Sequence, residues 1–162
     1  MWAYATSNHQ AREFFNAVSN LAIFKVEMFN SQEIGNTLWA FATLGYSTPE
    51  LFNVVSHFVV SKLNTFNLQE LTNTIWAYAT MYHYDVNPHF IDGILWEAIH
   101  KLKSISSERI ITILWSVAVL EKVIDTKAVV PLFSEISKRY HLSQNGFQLS
   151  CEALSQLHQA SM

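Results

Sequence analysis

The sequence predicts an all-α fold, an α-solenoid of helix-turn-helix repeats of 37–39 residues, and three observations carry that expectation. One phrase keeps returning. NTLWAFATLGY at Asn36–Tyr46 is rewritten as NTIWAYATMYHY at Asn73–Tyr84, as MWAYATS at Met1, and in degenerate form as TILWSVAVLEK from Thr112. The tryptophans of that phrase, Trp2, Trp39, Trp76 and Trp115, are spaced by 37, 37 and 39 residues, and a further 39 reaches Leu154 in EALSQLH. Each period also splits into two apolar patterns of helical spacing, with no strand alternation between them.

The periods divide the chain, 1–162, as a single array: a partial repeat at 1–30, repeats at about 31–67, 68–106 and 107–145, and a closing helix at about 146–160. Because Met1 falls in mid-phrase, the chain is expected to be a fragment, a separately encoded piece or a processed product.

The first helix of a period, helix A, is expected over Ser31–Tyr46, with Ser31 as cap, Ile34, Leu38, Trp39 and Ala42 as the apolar face, and Gly45 at the end. Helix B starts at Thr48-Pro49-Glu50, where a capping hydroxyl precedes a proline at the first helical position and an acid in the first turn. Leu51, Val55, Phe58 and Leu63 form its stripe. The corresponding stripes are Phe14, Val18, Leu21 and Val26 in the first period, and Phe90, Ile94, Leu95, Ala98 and Leu102 after Asn87-Pro88 in the third. The two extra residues of the third period belong in its A–B turn, His83 to Asn87. In the fourth, helix B is expected near Thr126, with a start or kink at Pro131. Between B and the next A stand Phe29-Asn30-Ser31-Gln32-Glu33 and Phe66-Asn67-Leu68-Gln69-Glu70, and then Ile105-Ser106-Ser107-Glu108. An apolar residue ahead of a polar cap is the pattern of a hydrophobic staple.

Composition narrows the function classes. The net charge of −3 argues against strong sequence-independent polyanion binding, which draws its affinity from Lys and Arg on phosphates. Charge is uneven, however: three basic and seven acidic residues through Trp96, seven basic and six acidic from Glu97. Phosphate contacts are therefore expected in the C-terminal half. Cys151 is the one cysteine, so no internal disulfide forms. The longest apolar run, Ile110–Leu120, falls short of the about 18 residues of a membrane span.

Signs of catalysis are missing. Gly35, Gly45, Gly93 and Gly146 are scattered and make no phosphate-cradling loop. Among the seven histidines, His57, His83, His89, His100, His141 and His158 have no Cys or carboxylate at ligand spacing, so neither metal nor cofactor is expected. Glu33 and Glu70 are one repeat apart and would ladder along one surface without facing each other as an acid–base pair. The expectation is a protein that is not an enzyme and has no small-molecule substrate.

The polar side of helix A carries the functional signal. Gln32, Asn36, Ala40 and Thr43 share one stripe, which recurs as Gln69, Asn73, Ala77 and Thr80, then as Glu108, Thr112, Ser116 and Val119. Its amides and hydroxyls can bond base edges or backbone, and one varied polar position per unit is what base-by-base reading of RNA requires. The same stripe equally suits a hydrogen-bonded seam between neighbouring A helices. Trp39 also has two readings, packing helix A on a neighbouring helix B or stacking on a base, with Tyr4, Phe41 and Tyr78 better placed for stacking. The candidate RNA-binding residues are Gln32, Asn36, Thr43, Gln69, Asn73, Thr80, Thr112 and Ser116, with Lys101, Lys103, Arg109, Lys138 and Arg139 as candidate phosphate contacts.

The phrase Phe-x-x-Gln-x-Leu-x-Asn-x-Ile-Trp-Ala-Tyr-Ala-Thr, as it stands from Phe66 to Thr80, resembles the octotricopeptide and heptatricopeptide repeats of organellar RNA-binding proteins, a class often carrying a RAP domain. The match is strong at Phe29–Tyr46 and Phe66–Met81 and weaker at Ile105–Leu120. The resemblance implies a non-catalytic α-solenoid acting on RNA in mitochondria, or alternatively plastids. About four units hold only a few nucleotides. A structural place in a ribonucleoprotein such as the organellar ribosome follows, with RNA and other proteins of the assembly as partners. The alternative is a protein–protein scaffolding solenoid without RNA contact.

Overall fold

The computed structural model describes residues 12–81, 87–102, 107–120 and 126–140. The expectations for Trp2, Tyr4, the His83 turn, Lys103, Glu108 and the closing helix lie outside the described residues or side chains. Every regular element among the described residues is helical: α1 (Arg12–Lys25), α2 (Ser31–Thr43), α3 (Pro49–Phe58), α4 (Leu68–Thr80), α5 (Pro88–Lys101), α6 (Ser107–Val119) and α7 (Thr126–Tyr140). Two short 3-10 turns, Val26–Met28 and Val60–Thr65, follow α1 and α3. The helices α2, α4 and α6 are of type A and pack side by side in chain order, while B-type α1 packs on α3 and α5 on α7. This is an all-α, solenoid-like fold, with one strip of core running between the two layers.

Local chemistry starts each A helix, but not at the residue the sequence suggested. The cap is Asn30, not Ser31, because Asn30 is extended and its side-chain oxygen accepts the Glu33 N–H at 2.9 Å. Glu33 returns the bond by accepting the Asn30 N–H at 2.9 Å. Asn67 and Glu70 repeat this capping box at 2.9 and 2.7 Å. Two of the orphan N–H groups of each helix start are thereby satisfied. Phe29 and Phe66 fall just ahead of these caps, and Phe66 is buried. At the other end of α2, Gly45 adopts φ +62°, the left-handed conformation in which a β-carbon is strained.

The B helices need one correction of phase. In α1 the inward residues are Phe15, Ser19 and Ala22, continued by Val26, while Phe14 and Leu21 are exposed. The Phe15 ring fixes that rotation by meeting Phe41 edge-on at 5.1 Å and stacking on Tyr46 at 5.4 Å. In α3 and its 3-10 turn, Leu51, Val55 and Leu63 are buried as expected, joined by Phe52 and Val59, and Phe58 is half-buried. The α5 stripe is buried throughout. Helix α7 begins at Thr126 and runs through Pro131, so the proline does not mark its start. Five residues, 44–48, join α2 to α3 and seven, 81–87, join α4 to α5, so the length difference falls between A and B.

Trp39 does not pack against a neighbouring B helix as its principal ring partner. Its ring lies 6.4 Å from that of Trp76 on the next A helix. Neither Phe41 nor Tyr78 is available to stack on a base, since both are buried in the core. Tyr78 sits between Phe52 and Phe90, each 5.0 Å from its ring, and donates its hydroxyl to the Phe52 carbonyl at 2.6 Å. Burial pushes its phenol well above the ordinary value, the nearby Ser56 hydroxyl working the other way.

Candidate nucleic-acid interface

The A helices approach closely at their starts. A β-carbon added to Gly35 would lie 3.4 Å from the Glu70 carbonyl oxygen and 3.5 Å from its α-carbon, so the backbones of α2 and α4 almost touch there. Ala40 and Ala77 are also buried. Side-by-side packing in one register therefore leaves a narrow lane. Gln32 and Thr43 are exposed and Asn36 half-buried on α2, and Gln69, Thr80 and Asn73 match them on α4. Trp39 borders the lane half-buried; Trp76, its counterpart, is buried.

The chemistry of these groups differs from residue to residue. Neither Asn36 nor Asn73 commits its amide to a hydrogen bond among the described residues, so each presents donors and an acceptor. Thr43 donates its hydroxyl back to the Trp39 carbonyl at 2.8 Å, which leaves it an acceptor toward the lane. On α6 the lane narrows. Thr112 is half-buried, and Ser116 is 0% exposed with its hydroxyl donated to the Thr112 carbonyl at 2.7 Å. Ser116 therefore belongs to the packed interior and not to a reading surface.

The cations separate in the same way. Arg109 reaches from α6 to the preceding A helix, its guanidinium donating to the Gln69 side-chain oxygen at 3.3 Å. Lys101 is committed to structure: it donates to the Asn64 carbonyl at 3.0 Å and pairs with Glu97 at 2.7 Å. These two cations and residues Asn64–Gln69 line an open pocket of about 600 Å³ beside the start of α4. Lys138 is exposed on α7, away from that pocket. The side chains of Lys103 and Arg139 lie outside the described ones. Among the described residues no three His, Cys, Asp or Glu come together as a metal site, and no helix is long and apolar enough to cross a membrane.

One recurring contact escapes the sequence reading. Lys62 donates to the Glu27 carbonyl at 2.9 Å, and Glu27 stands one period before Asn64, the acceptor for Lys101. The signal was the position itself, since Lys25, Lys62 and Lys101 recur at 37 and 39 residues.

Residues 34–101 match a family model described as FAST kinase-like protein, subdomain 1. The matched stretch runs from the first turn of α2 to the end of α5, and so contains the capping box of α4 and much of the lane. It supports similarity to a helical-repeat, RNA-associated family at that coarse level, without reaching the octotricopeptide class. No curated protein matches the chain.

Proposed function

We propose that this chain is a non-catalytic RNA-binding helical-repeat module, a structural part of an organellar ribonucleoprotein, with the mitochondrial ribosome as its most concrete setting and a plastid assembly as the alternative. The observation that carries this reading is the register of the lane. Asn36 and Asn73 occupy equivalent positions on adjacent helices with uncommitted amides, and the backbones that carry them are locked together at Gly35 and Glu70. Preorganised donors and acceptors at fixed intervals suit the edges of unstacked bases. Arg109 adds a charge that suits a phosphate near the lane's third rung.

The test is crosslinking to single-stranded RNA, and titration at several salt concentrations, with the wild-type chain and with Asn36, Asn73 and Thr112 all changed to alanine. The lane is not the reader if the triple variant crosslinks as the wild type does. A scaffolding role without RNA is favoured by one specific observation, the exposure of Phe24 to 87% on α1. Partner capture that survives nuclease and high salt selects that reading, because phosphate contacts weaken as salt rises.

A further inference from the structure

The start of an A helix has a defined seat on the repeat that follows it. Ser31 donates its hydroxyl to the Thr65 carbonyl at 3.5 Å, and Gly35 lies over the Glu70 backbone. Under that cover Phe66 is 1% exposed and Thr74 is 0% exposed. One period earlier, the residues equivalent to Thr65, Phe66, Glu70 and Thr74 are Met28, Phe29, Glu33 and Thr37. Those four line an open, mainly apolar pocket of about 470 Å³, together with Val18, Lys25 and Asn36. Phe29 is only half-buried there, and Met28 stands exposed where the inner repeat has Thr65.

We propose that this pocket seats the first half of an A-type helix, a segment of the Ser31–Thr37 kind joined in helical register ahead of Trp2. The array's own inter-repeat interface continues into it. The residues from Met1 to Thr6 repeat Leu38–Thr43, the second half of α2, and so supply the register in which such a segment runs on. The occupant carries a hydroxyl or similarly short side chain at its first position, to reach the backbone beside Met28, and a small residue four positions later, to let its backbone approach Glu33.

The experiment grafts a copy of Phe29–Thr37 ahead of Met1 of the full chain, so that Met1 follows the copied threonine as Leu38 follows Thr37. Thermal unfolding and sedimentation are measured for the grafted and ungrafted chains. The expected result is a monomer whose Tm rises by roughly 5 °C or more, with no rise from a graft of the same residues in scrambled order. In the grafted chain Met28→Glu cancels most of the gain, while in the ungrafted chain, where Met28 is exposed, it leaves Tm unchanged. Equal Tm values with and without the graft overturn the proposal, as does an equal gain from the scrambled graft. An ungrafted chain that self-associates and is made monomeric by Met28→Glu assigns the pocket to a second copy and also overturns it.

Discussion

Arg109 reaches Gln69 from the helical position at which Glu33 and Glu70 close their capping boxes. A cation there faces the positive end of the α6 dipole, whereas the glutamates complement theirs. Arg109 thus costs stability where its counterparts add it, and a phosphate contact is a sufficient reason to keep it. Arg109→Glu creates the box pattern Ser106-x-x-Glu, so it should raise stability by about 0.5–1 kcal/mol. It should also weaken RNA binding and reduce the salt slope by about 1. Chemical denaturation and salt-dependent titration read the two effects separately, and a variant that is more stable with unchanged affinity removes Arg109 from the interface.

Lys101 should behave in the opposite way. Its ammonium holds the Asn64 carbonyl and the Glu97 carboxylate, both in the junction between repeats. Lys101→Met leaves those acceptors without their donor, at a cost of about 1–2 kcal/mol after discounting for partial exposure. RNA affinity per folded molecule should stay within about twofold, since one uncommitted phosphate contact is not being lost. A large affinity drop in a chain of unchanged Tm contradicts this assignment.

Thr74 offers a stabilising substitution. Its hydroxyl is buried with no hydrogen-bond partner among the described residues. An unpaired buried hydroxyl costs about 1–3 kcal/mol, and valine fills the same volume without it. Thr74→Val should therefore raise the urea midpoint, with an unchanged m-value. A lower midpoint means that the hydroxyl has a partner in the native protein.

Tyr78 sets a pH dependence. Burial first of all keeps its phenol neutral, with a folded-state value well above that of the unfolded chain. The stabilisation is then fully present below about pH 10, the unfolded value, and is lost progressively as pH rises toward the folded value. Tyr78→Phe should flatten that alkaline decline. It should also cost about 1–2 kcal/mol at neutral pH, where the Phe52 carbonyl loses its donor. Stability measured between pH 8 and 12 for both proteins checks the sign.

Much of the fold was legible because packing positions repeat in the text. The Trp period gave the array, and the α5 stripe from Phe90 to Leu102 was read residue by residue. The misses have physical causes. Asn30 and Ser31 are adjacent capping types, and only the reciprocal bonds with Glu33 distinguish them. Phe14 and Phe15 both fit a helical stripe, and the choice rests on Phe41 and Tyr46, more than one element away. For the candidate site, sequence placed Asn36 and Asn73 on one face but could not show that Ser116 turns inward, because a small hydroxyl suits a helix seam and a wet surface equally. Gly35 looked like an unattached glycine, and its use became visible only against the backbone of a helix 35 residues on.

The backbone contacts of Lys62 and Lys101 both point toward the N-terminus, each lysine gripping a carbonyl one period behind it. The array consequently has a mechanical polarity. Peeling away the repeat that carries Lys101 releases the junction at Asn64, and only then does the grip of Lys62 on Glu27 become the outermost latch. Unravelling from the C-terminal side thus proceeds latch by latch, and a load applied along the array meets a different resistance at each end.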